Sequence, residues 1–233
     1  MARSRARARV AEVVPVAVPE TSDKSMVTRP RSSKGVRTRE RLVEAAREIF
    51  ETQGFTEARI SDIAERAGQS HGSFYYYFDS KEEVFREVAA AVDDQLFAPL
   101  DDVIMAKSWL APQQRIREAM RRHLESYRQH ARIMALIEQV SRHDAEVNAL
   151  RMARHKRHTD EVTKSIRQMQ RRKIADASLD PAIVATAFGA LTHRFAEIWL
   201  VHGAVECSLE HAVEQLSRLF ENALRLKPPP RKA

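Results

Sequence analysis

Apolar residues recur every three or four positions along nearly the whole of residues 36–226. An α-helix has 3.6 residues per turn, so this spacing places the apolar residues on one side of a helix. No segment has the strict alternation of apolar and polar residues that indicates a strand. We therefore predict an all-α fold, with helices at 37–52, 60–67, 71–77, from 80 to about 100, 112–129, 131–141, 144–175, 181–202 and 208–226.

The composition argues against several other classes of protein. Only six of the 233 residues are glycine, and none of the six forms the glycine-rich pattern of a phosphate-binding loop. Cys207 is the only cysteine, which excludes a disulfide within the chain and a cysteine-rich zinc site. The longest uncharged stretch, 181–193, has 13 residues, whereas a bilayer-spanning helix needs about 20. We expect a cytoplasmic protein without a membrane segment.

Residues 60–78, ISDIAERAGQSHGSFYYYF, contain two short helices joined by a tight turn. Gly68 allows the turn, and Ala64 is small where two helices must cross closely. Ile63 and Phe74 are apolar where the two helices must pack together. This pattern predicts a helix-turn-helix, whose second helix can lie in the major groove of DNA.

Five consecutive aromatic residues end this segment. Each helical residue turns about 100° from the one before, so the five side chains cannot all face one core. Phe74 and Phe78, four positions apart, share the inner face, and Tyr75, Tyr76 and Tyr77 point partly outward. Tyrosine hydroxyls there can donate to phosphate oxygens, and the rings can contact thymine methyl groups. The alternative is that the tyrosines only fill a contact between helices.

Residues 38–85 resemble the DNA-binding domain of the TetR family of bacterial one-component transcriptional regulators. The matching features are the F-x-x-x-G-F pattern at the end of the first helix, the DIAERAG turn, and S-x-G-x-x-Y-x-x-F-x-S-K-E. The resemblance implies an all-helical homodimer. Its DNA-binding domain would span 36–81, and residues 82–226 would form a larger domain that binds a small molecule and dimerises.

The resemblance also implies DNA contacts at individual positions. Gln69 and His71 differ from the residues that are usual in the family at these positions, and both differences bear on the operator sequence. Contacts to the DNA backbone are implied for Arg37, Thr38, Ser61, Tyr75, Tyr77 and Lys81, and contacts to base edges for Gln69, Ser70, His71, Gly72 and Ser73, with Tyr76 on the same surface.

These features together predict a ligand-responsive transcriptional regulator. It would bind a palindromic operator in double-stranded DNA and would be released from it by a small, largely apolar molecule. A ligand-independent architectural DNA-binding protein is the main alternative, and a helical enzyme is the other. The chain has no H-E-x-x-H motif and no pair of carboxylates that stands out as an acid–base site, so we predict no catalytic residue, and we predict no metal or cofactor.

The formal charge of +7 belongs to the two ends of the chain. Residues 1–35 lack helical periodicity and carry eight basic and three acidic residues, and 227–233 form a short basic tail. The stretch 36–81 holds seven basic and eight acidic residues, so the net charge is not evidence for the helix-turn-helix. We predict that 1–35 is a disordered basic arm that adds salt-sensitive, nonspecific affinity for DNA.

The last two predicted helices are candidates for the dimer contact. The first half of helix 181–202 is apolar nearly all round, and helix 208–226 has a single apolar stripe. We predict that both pair with their symmetry mates as a four-helix interface. The predicted interface residues are Phe188, Phe195, Leu209, Val213, Leu216 and Phe220.

Large apolar side chains in the C-terminal half are candidates for a ligand cavity, with ordinary core as the alternative. The apolar candidates are Phe97, Met105, Trp109, Met120, Leu124, Tyr127, Met134, Ile137, Phe188 and Trp199, and the polar candidates are His123, Asn148, Thr192 and His193.

Helix 144–175 is unusually basic. A solvated face explains its charge, and the alternative is binding of an anionic ligand with an apolar tail, such as an acyl thioester. The arginines that would meet its phosphates are Arg151, Arg154, Arg171 and Arg172. His155 and His158 are three positions apart, but no third metal ligand is clearly placed beside them.

Overall fold

The computed structural model describes residues 32–105 and 111–226, and for positions 101, 102, 104 and 105 it describes the backbone alone. These ranges contain eight helices and no strand, which confirms the predicted all-α fold. The helices are α1 (Ser33–Glu57), α2 (Ile60–Arg66), α3 (His71–Tyr75), α4 (Lys81–Met105), α5 (Pro112–Ser141), α6 (Ala145–Arg171), α7 (Pro181–Leu200) and α8 (Leu209–Ala223). Most of the predicted arm, the basic tail, Trp109 and the side chain of Met105 lie outside the described residues.

Helix α1 begins earlier than its apolar pattern predicts. The Ser32 hydroxyl accepts a hydrogen bond from the Gly35 backbone N–H at 3.1 Å and caps the helix. Residues 33–35, which we assigned to the arm, therefore form the first turn of α1. Gly54 interrupts the helical geometry with a φ of 78°, a conformation that glycine adopts without strain.

Helix α5 is a single helix of 30 residues, so the predicted division into 112–129 and 131–141 is wrong. Positions 129–131 are Gln, His and Ala, and none of these residues ends a helix. The buried stripe of Leu124, Tyr127 and Met134 runs through this point without a break.

Two hydrophobic clusters hold the fold together. The larger one joins the core of the first three helices to parts of α4–α8. The smaller one packs Ile166 and Met169 of α6 against Ala185 of α7 and Leu224, which follows α8. Helix α4 belongs to both halves of the molecule, because Phe85 packs among the N-terminal helices and Phe97 packs among the C-terminal ones. This shared helix joins the two predicted domains.

Helix α8 turns its apolar stripe toward its own chain. Leu209, Val213 and Leu216 are only 8%, 1% and 5% exposed and pack in the larger cluster. Their prediction as dimer-interface residues is therefore wrong, since they are already buried in one copy. Phe195 is half-buried against the same core. Periodicity identified the buried side of the helix, but it could not identify what covers that side.

The outward faces of α7 and α8 carry other large apolar residues. Ile183 is 69% exposed, Leu191 is 44% exposed, and Leu219 on α8 is 53% exposed. Helix α7 is mostly apolar, yet none of the helices in the described ranges is both long and apolar enough to span a bilayer. An apolar surface on consecutive helices is typical of a protein–protein contact.

Candidate functional sites

The turn between α2 and α3 is set by a Schellman motif at the end of α2. The Gln69 backbone N–H donates to the Ala64 carbonyl at 2.8 Å, and the Gly68 N–H donates to the Glu65 carbonyl at 2.9 Å. Gly68 has a φ of +66°, the left-handed conformation that this motif requires. Ala64 is 1% exposed, which lets α2 lie close to its neighbours. The helix-turn-helix geometry therefore follows from Gly68 and Ala64.

Side chains at the start of α3 hold the turn against the helix. The Ser70 hydroxyl accepts from the Ser73 backbone N–H at 3.1 Å. The Ser73 hydroxyl donates to Gln69 Oε1 at 3.1 Å, and Gln69 Nε2 donates to the Gly68 carbonyl at 2.9 Å. Among the residues predicted to read bases, Gln69, Ser70 and Ser73 thus also fix the shape of the turn.

The aromatic run divides between core and surface as its helical geometry predicts. Phe74 and Phe78 are 0% and 1% exposed, whereas Tyr75 and Tyr76 are 48% and 70% exposed. Tyr77 is half-buried and packs against the core, so it points outward less than its neighbours do. An exposed pair of tyrosines therefore stands on a helix whose other side is fully packed.

Gly72 lies on the exposed side of α3 between His71 and Ser73. A Cβ atom at this position would find no other atom within 4 Å, and its φ is not positive. The fold of the single chain therefore does not require glycine here. What glycine provides is a low, open surface beside the exposed His71 ring.

Lys81 lies at the start of α4, where its side chain contacts the C-terminal end of α1. Its ammonium group donates to the Thr56 and Ala58 carbonyls, both at 3.0 Å, and stands 4.9 Å from the centre of the Phe55 ring. Two of its three N–H groups are thus used within the fold, and phosphate contact through the third stays a prediction. The Ser80 hydroxyl caps α4, because it accepts a hydrogen bond from the Glu83 backbone N–H at 3.1 Å.

Three predicted contacts to the DNA backbone differ in accessibility. Arg37 is exposed on α1, and Ser61 is exposed on α2 with its hydroxyl donating to Asp62 at 2.9 Å. Thr38 is only 5% exposed, and its hydroxyl donates to the Lys34 carbonyl at 3.0 Å. The prediction for Thr38 is therefore corrected, because this hydroxyl belongs to the first turns of α1.

A cavity of about 130 Å³ lies between α4, α5, α6, α7 and α8. Its wall combines apolar side chains with a few polar ones. Phe188 and Phe220, which we predicted at the dimer interface, contact each other in this wall instead. The predicted ligand-binding residues that line the cavity are Phe97, Met120, Phe188, Thr192 and His193, together with the predicted anchor His123.

Other predicted pocket residues lie elsewhere. Leu124, Tyr127 and Met134 are 0%, 1% and 3% exposed and belong to the larger hydrophobic cluster, as does Ile137. Asn148 is exposed on α6. Residue type alone could not predict which large apolar side chains line the cavity and which lie in the packed core, because both are built from the same residue types.

Four histidines line the cavity: His123, His155, His158 and His193. Burial, together with smaller effects of His193 and His158, lowers the pKa of His123 to about 3. Burial also lowers the pKa of His193 and of His155. His123 is therefore neutral near pH 7, and neither of its ring nitrogens has a hydrogen-bond partner.

The arginines that we assigned to an acyl thioester do not line the cavity. Arg151 pairs with Glu138, and Arg154 pairs with Asp94. Arg171 and Arg172 are exposed at the end of α6. That assignment is therefore wrong, since the first two guanidinium groups already have carboxylate partners.

Arg115 is the basic residue that reaches the cavity wall, and our reading of the sequence missed it. The signal was its spacing on α5. Residues 115, 119 and 123 follow one another at intervals of four and therefore share a face with His123. No metal site accompanies these groups, because the described residues contain no cluster of three His, Cys, Asp or Glu side chains suited to a metal ion.

Polar contacts connect the helix-turn-helix half to the cavity half. Arg39 of α1 pairs with Glu87 of α4. Arg86 of α4 pairs with Glu146 of α6 at 2.8 Å. Arg47 of α1 contacts His130 of α5 at 3.0 Å. Helix α1 therefore bonds directly to α4 and α5, which are two of the helices that frame the cavity.

The N-terminal part of this chain is similar to known bacterial regulatory proteins. The family model described as "Bacterial regulatory proteins, tetR family" matches residues 42–88. The uncharacterised HTH-type transcriptional regulator YdgC of Bacillus subtilis is 48% identical over 56 residues, and the HTH-type transcriptional regulator SrpR of Pseudomonas putida is 34% identical over 88 residues. The matches cover 24% and 36% of this chain and only 29% and 40% of those two relatives.

Solved structures extend the likeness to the whole fold. A TetR-family regulator structure from Mesorhizobium loti has a TM-score of 0.71 at 18% identity, covering 82% of this chain and 98% of that one. A transcriptional regulator from Saccharomonospora viridis in complex with choline has a TM-score of 0.67 at 20% identity, covering 83% of this chain and 100% of that one. Residues 42–88 are thus similar to the N-terminal part of the bacterial regulatory proteins of the TetR family, and the described fold is similar to solved structures of regulators of that family.

Proposed function

We propose that this protein is a ligand-responsive transcriptional regulator that binds operator DNA through α3. The observation that carries the proposal is the exposed surface of His71, Gly72, Tyr75 and Tyr76 on a helix that a Schellman turn and a buried Phe74 hold rigidly. Such a helix fits the major groove, where tyrosine hydroxyls reach phosphates and the helix start reaches base edges. The protein would act in the cytoplasm, where this DNA is accessible.

Repression relieved by a ligand is the mode that we propose. Two relatives matched in the N-terminal region, NicS of Pseudomonas putida and KstR2 of Mycobacterium tuberculosis, are named transcriptional repressors. An architectural protein would not need the cavity between α4 and α8. The matched relatives are regulators rather than enzymes, which also weighs against the enzyme alternative.

Helix α4 is the element that would carry the ligand signal. Its first turns pack Val84 and Phe85 in the DNA-binding half, and Phe97 and Leu100 line the cavity. A ligand that fits the cavity better in one position of α4 would shift the populations of the two positions. The spacing of the two α3 helices in a dimer would change with them, and operator affinity would fall.

Gly72→Ala separates folding from DNA binding. A Cβ at this position has no contact beyond its own helix and neighbouring residues, and alanine is the better helix former, so we expect stability to rise by about 0.4–1 kcal/mol. Operator affinity should fall by about tenfold or more, because the added methyl group occupies the surface that approaches the bases. Urea unfolding and fluorescence anisotropy on labelled operator measure the two effects.

Asn148→Ala is the matched control for Gly72→Ala. Asn148 is exposed on α6, and alanine should stabilise that helix by about 0.5 kcal/mol without any contact to DNA. Its operator affinity should equal that of the unmodified chain. Equal affinity in Gly72→Ala as well would contradict the position of α3 against the bases.

We further propose a homodimer that forms through the outward faces of α7 and α8. Ile183, Ala187 and Leu191 follow one another on the exposed side of α7, and Leu219 is exposed on α8. A self-complementary contact between these faces would give the two-fold symmetry that a palindromic operator requires. This interface replaces the buried stripe of α8 that the sequence suggested.

Aspartate at both Ile183 and Leu191 should convert the dimer to a monomer. Two buried, unpaired carboxylates per copy disfavour association strongly, whereas a monomer leaves them in water. Analytical ultracentrifugation at about 10 µM protein measures the effect, which should exceed about a hundredfold in the dissociation constant. Leu150→Asp, at an exposed position of α6, should leave the dimer intact. A monomeric unmodified chain would refute the proposed interface.

The cavity suggests what kind of effector the protein takes. The structural neighbour from Saccharomonospora viridis holds choline, which is a cation. In the present chain no Asp or Glu lines the described cavity wall, and Arg115 does. A volume of about 130 Å³ suits a compact, largely apolar molecule rather than a long acyl chain.

A further inference from the structure

We propose that the cavity binds a small aromatic organic acid, with its carboxylate on Arg115 and a hydroxyl group on the far side of its ring at His123. The inference rests on the proposed function and deepens it, because it names the chemical class of the effector. The proposal rests on buried polar atoms of the cavity wall that have no hydrogen-bond partner within the chain.

Arg115 provides the anion-binding end of the cavity. It lines the wall, lies in the first turn of α5, and its Nε is buried without a hydrogen-bond partner. Burial lowers the pKa of this guanidinium group, and Arg172 nearby lowers it further, so both effects disfavour its charge. A carboxylate beside it would reverse both effects through charge-assisted hydrogen bonds, helped by the positive end of the α5 dipole.

His123 provides the opposite, uncharged end. It is 6% exposed, lines the cavity, and neither ring nitrogen has a hydrogen-bond partner. It follows Arg115 by eight residues, which is about 12 Å along a helix. A neutral imidazole offers one N–H donor and one acceptor nitrogen, and a hydroxyl group can satisfy either of them.

The space between these two ends has the size and lining of an aromatic ring. Phe97, Met120, Ile166 and Phe188 are among the apolar residues of the wall. The cavity volume of about 130 Å³ is close to that of a cavity of about 150 Å³ that binds benzene. The absence of Asp and Glu from the described lining residues favours a negative ligand over a positive one.

Calorimetric titration of the full-length chain tests the carboxylate end of this proposal. The probes are 4-hydroxybenzoate, 4-hydroxyphenylacetate and 4-hydroxyphenylpropanoate, each compared with its primary amide. At least one acid should bind about 10- to 100-fold more tightly than its amide, the ratio expected for hydrogen bonds to a charged group. Arg115→Gln should remove this preference, and Arg115→Lys should retain part of it. Arg117→Gln, at an exposed position two residues along α5, should leave it unchanged.

The hydroxyl end has its own comparison. The same acids without the ring hydroxyl should bind about five- to tenfold more weakly to the unmodified chain, and His123→Phe should abolish that difference while keeping the preference for acids. Acids that bind no more tightly than amides, or a preference that survives Arg115→Gln, would overturn the proposal.

Operator binding should also be measured with the same protein preparation in the absence of ligand. This measurement distinguishes a failure of the proposed ligand class from a failure of the proposed function. A chain that binds its operator but shows no preference for acids overturns the ligand class alone. A chain that prefers acids but binds no specific DNA supports the cavity chemistry and overturns the regulator.

Discussion

Phe74→Ala is expected to destabilise the protein by about 3–5 kcal/mol, the usual effect of removing a fully buried phenylalanine. Phe74 is 0% exposed, and its ring packs beside those of Phe78 and Tyr75. Native domains are stable by only about 5–15 kcal/mol, so the N-terminal helices should unfold at much lower urea concentration. DNA binding should be lost together with the fold, as circular dichroism and fluorescence anisotropy would measure.

Tyr76→Ala is the matched control for this prediction. Tyr76 lies two positions from Phe74 and is 70% exposed, so its removal should change stability by no more than about 0.5 kcal/mol. Similar losses of stability in both variants would mean that the two sides of α3 have been assigned wrongly.

His123→Phe is expected to raise the stability of the ligand-free protein by about 1–3 kcal/mol near pH 7.5. The imidazole is buried, and both of its nitrogens lack hydrogen-bond partners. Replacing unsatisfied polar atoms by an apolar ring of similar shape removes their desolvation penalty. Urea unfolding at about pH 7.5 measures the change, and a loss of stability would show that His123 has a partner.

The same substitution should also change how stability depends on pH. The pKa of His123 is lowered to about 3 in the folded chain, whereas the unfolded chain has the ordinary value of about 6.5. As the pH falls below about 6.5, the unfolded state therefore binds the proton first, and stability is lost. Between about pH 7.5 and pH 5 this loss is about 2 kcal/mol in the unmodified chain and should be absent in His123→Phe.

Other groups shift the acid response of both proteins. Burial lowers the pKa values of His193 and His155, so they add to the loss of stability in acid. Burial raises the pKa of Asp93 to about 6, so the folded state takes up that proton first and gains stability below this pH. The difference between variant and unmodified chain isolates His123, and identical pH dependence in the two would contradict a buried, neutral imidazole.

The N-terminal helices could be predicted closely because local rules determine them. Gly68 ends α2 in a left-handed conformation, Ser70 begins α3, and the spacing of Phe74 and Phe78 selects the buried side. The start of α1 was missed because Ser32 and Gly35 give no apolar signal, although Ser32 is a good helix cap.

The sequence predicted that the C-terminal half is helical, but it did not predict how these helices pack against one another. The apolar stripe of α8 is real, yet Val213 faces the same chain rather than a partner. Tyr127 and Met120 are both large, buried side chains of α5, but of the two only Met120 lines the cavity. Helix periodicity gives the direction of a side chain around its own axis, whereas the neighbour it meets depends on how five helices pack.

Selection of DNA from a random duplex library by the full-length chain tests whether α3 recognises operator DNA. We expect enrichment of one inverted repeat whose half-sites are separated by whole helical turns of about 10 base pairs. Alanine at both Tyr75 and Tyr76 should abolish that enrichment in a chain that remains folded, because both side chains are largely outside the core. A library without an enriched sequence, or the same repeat recovered by the double variant, would contradict recognition of DNA by α3.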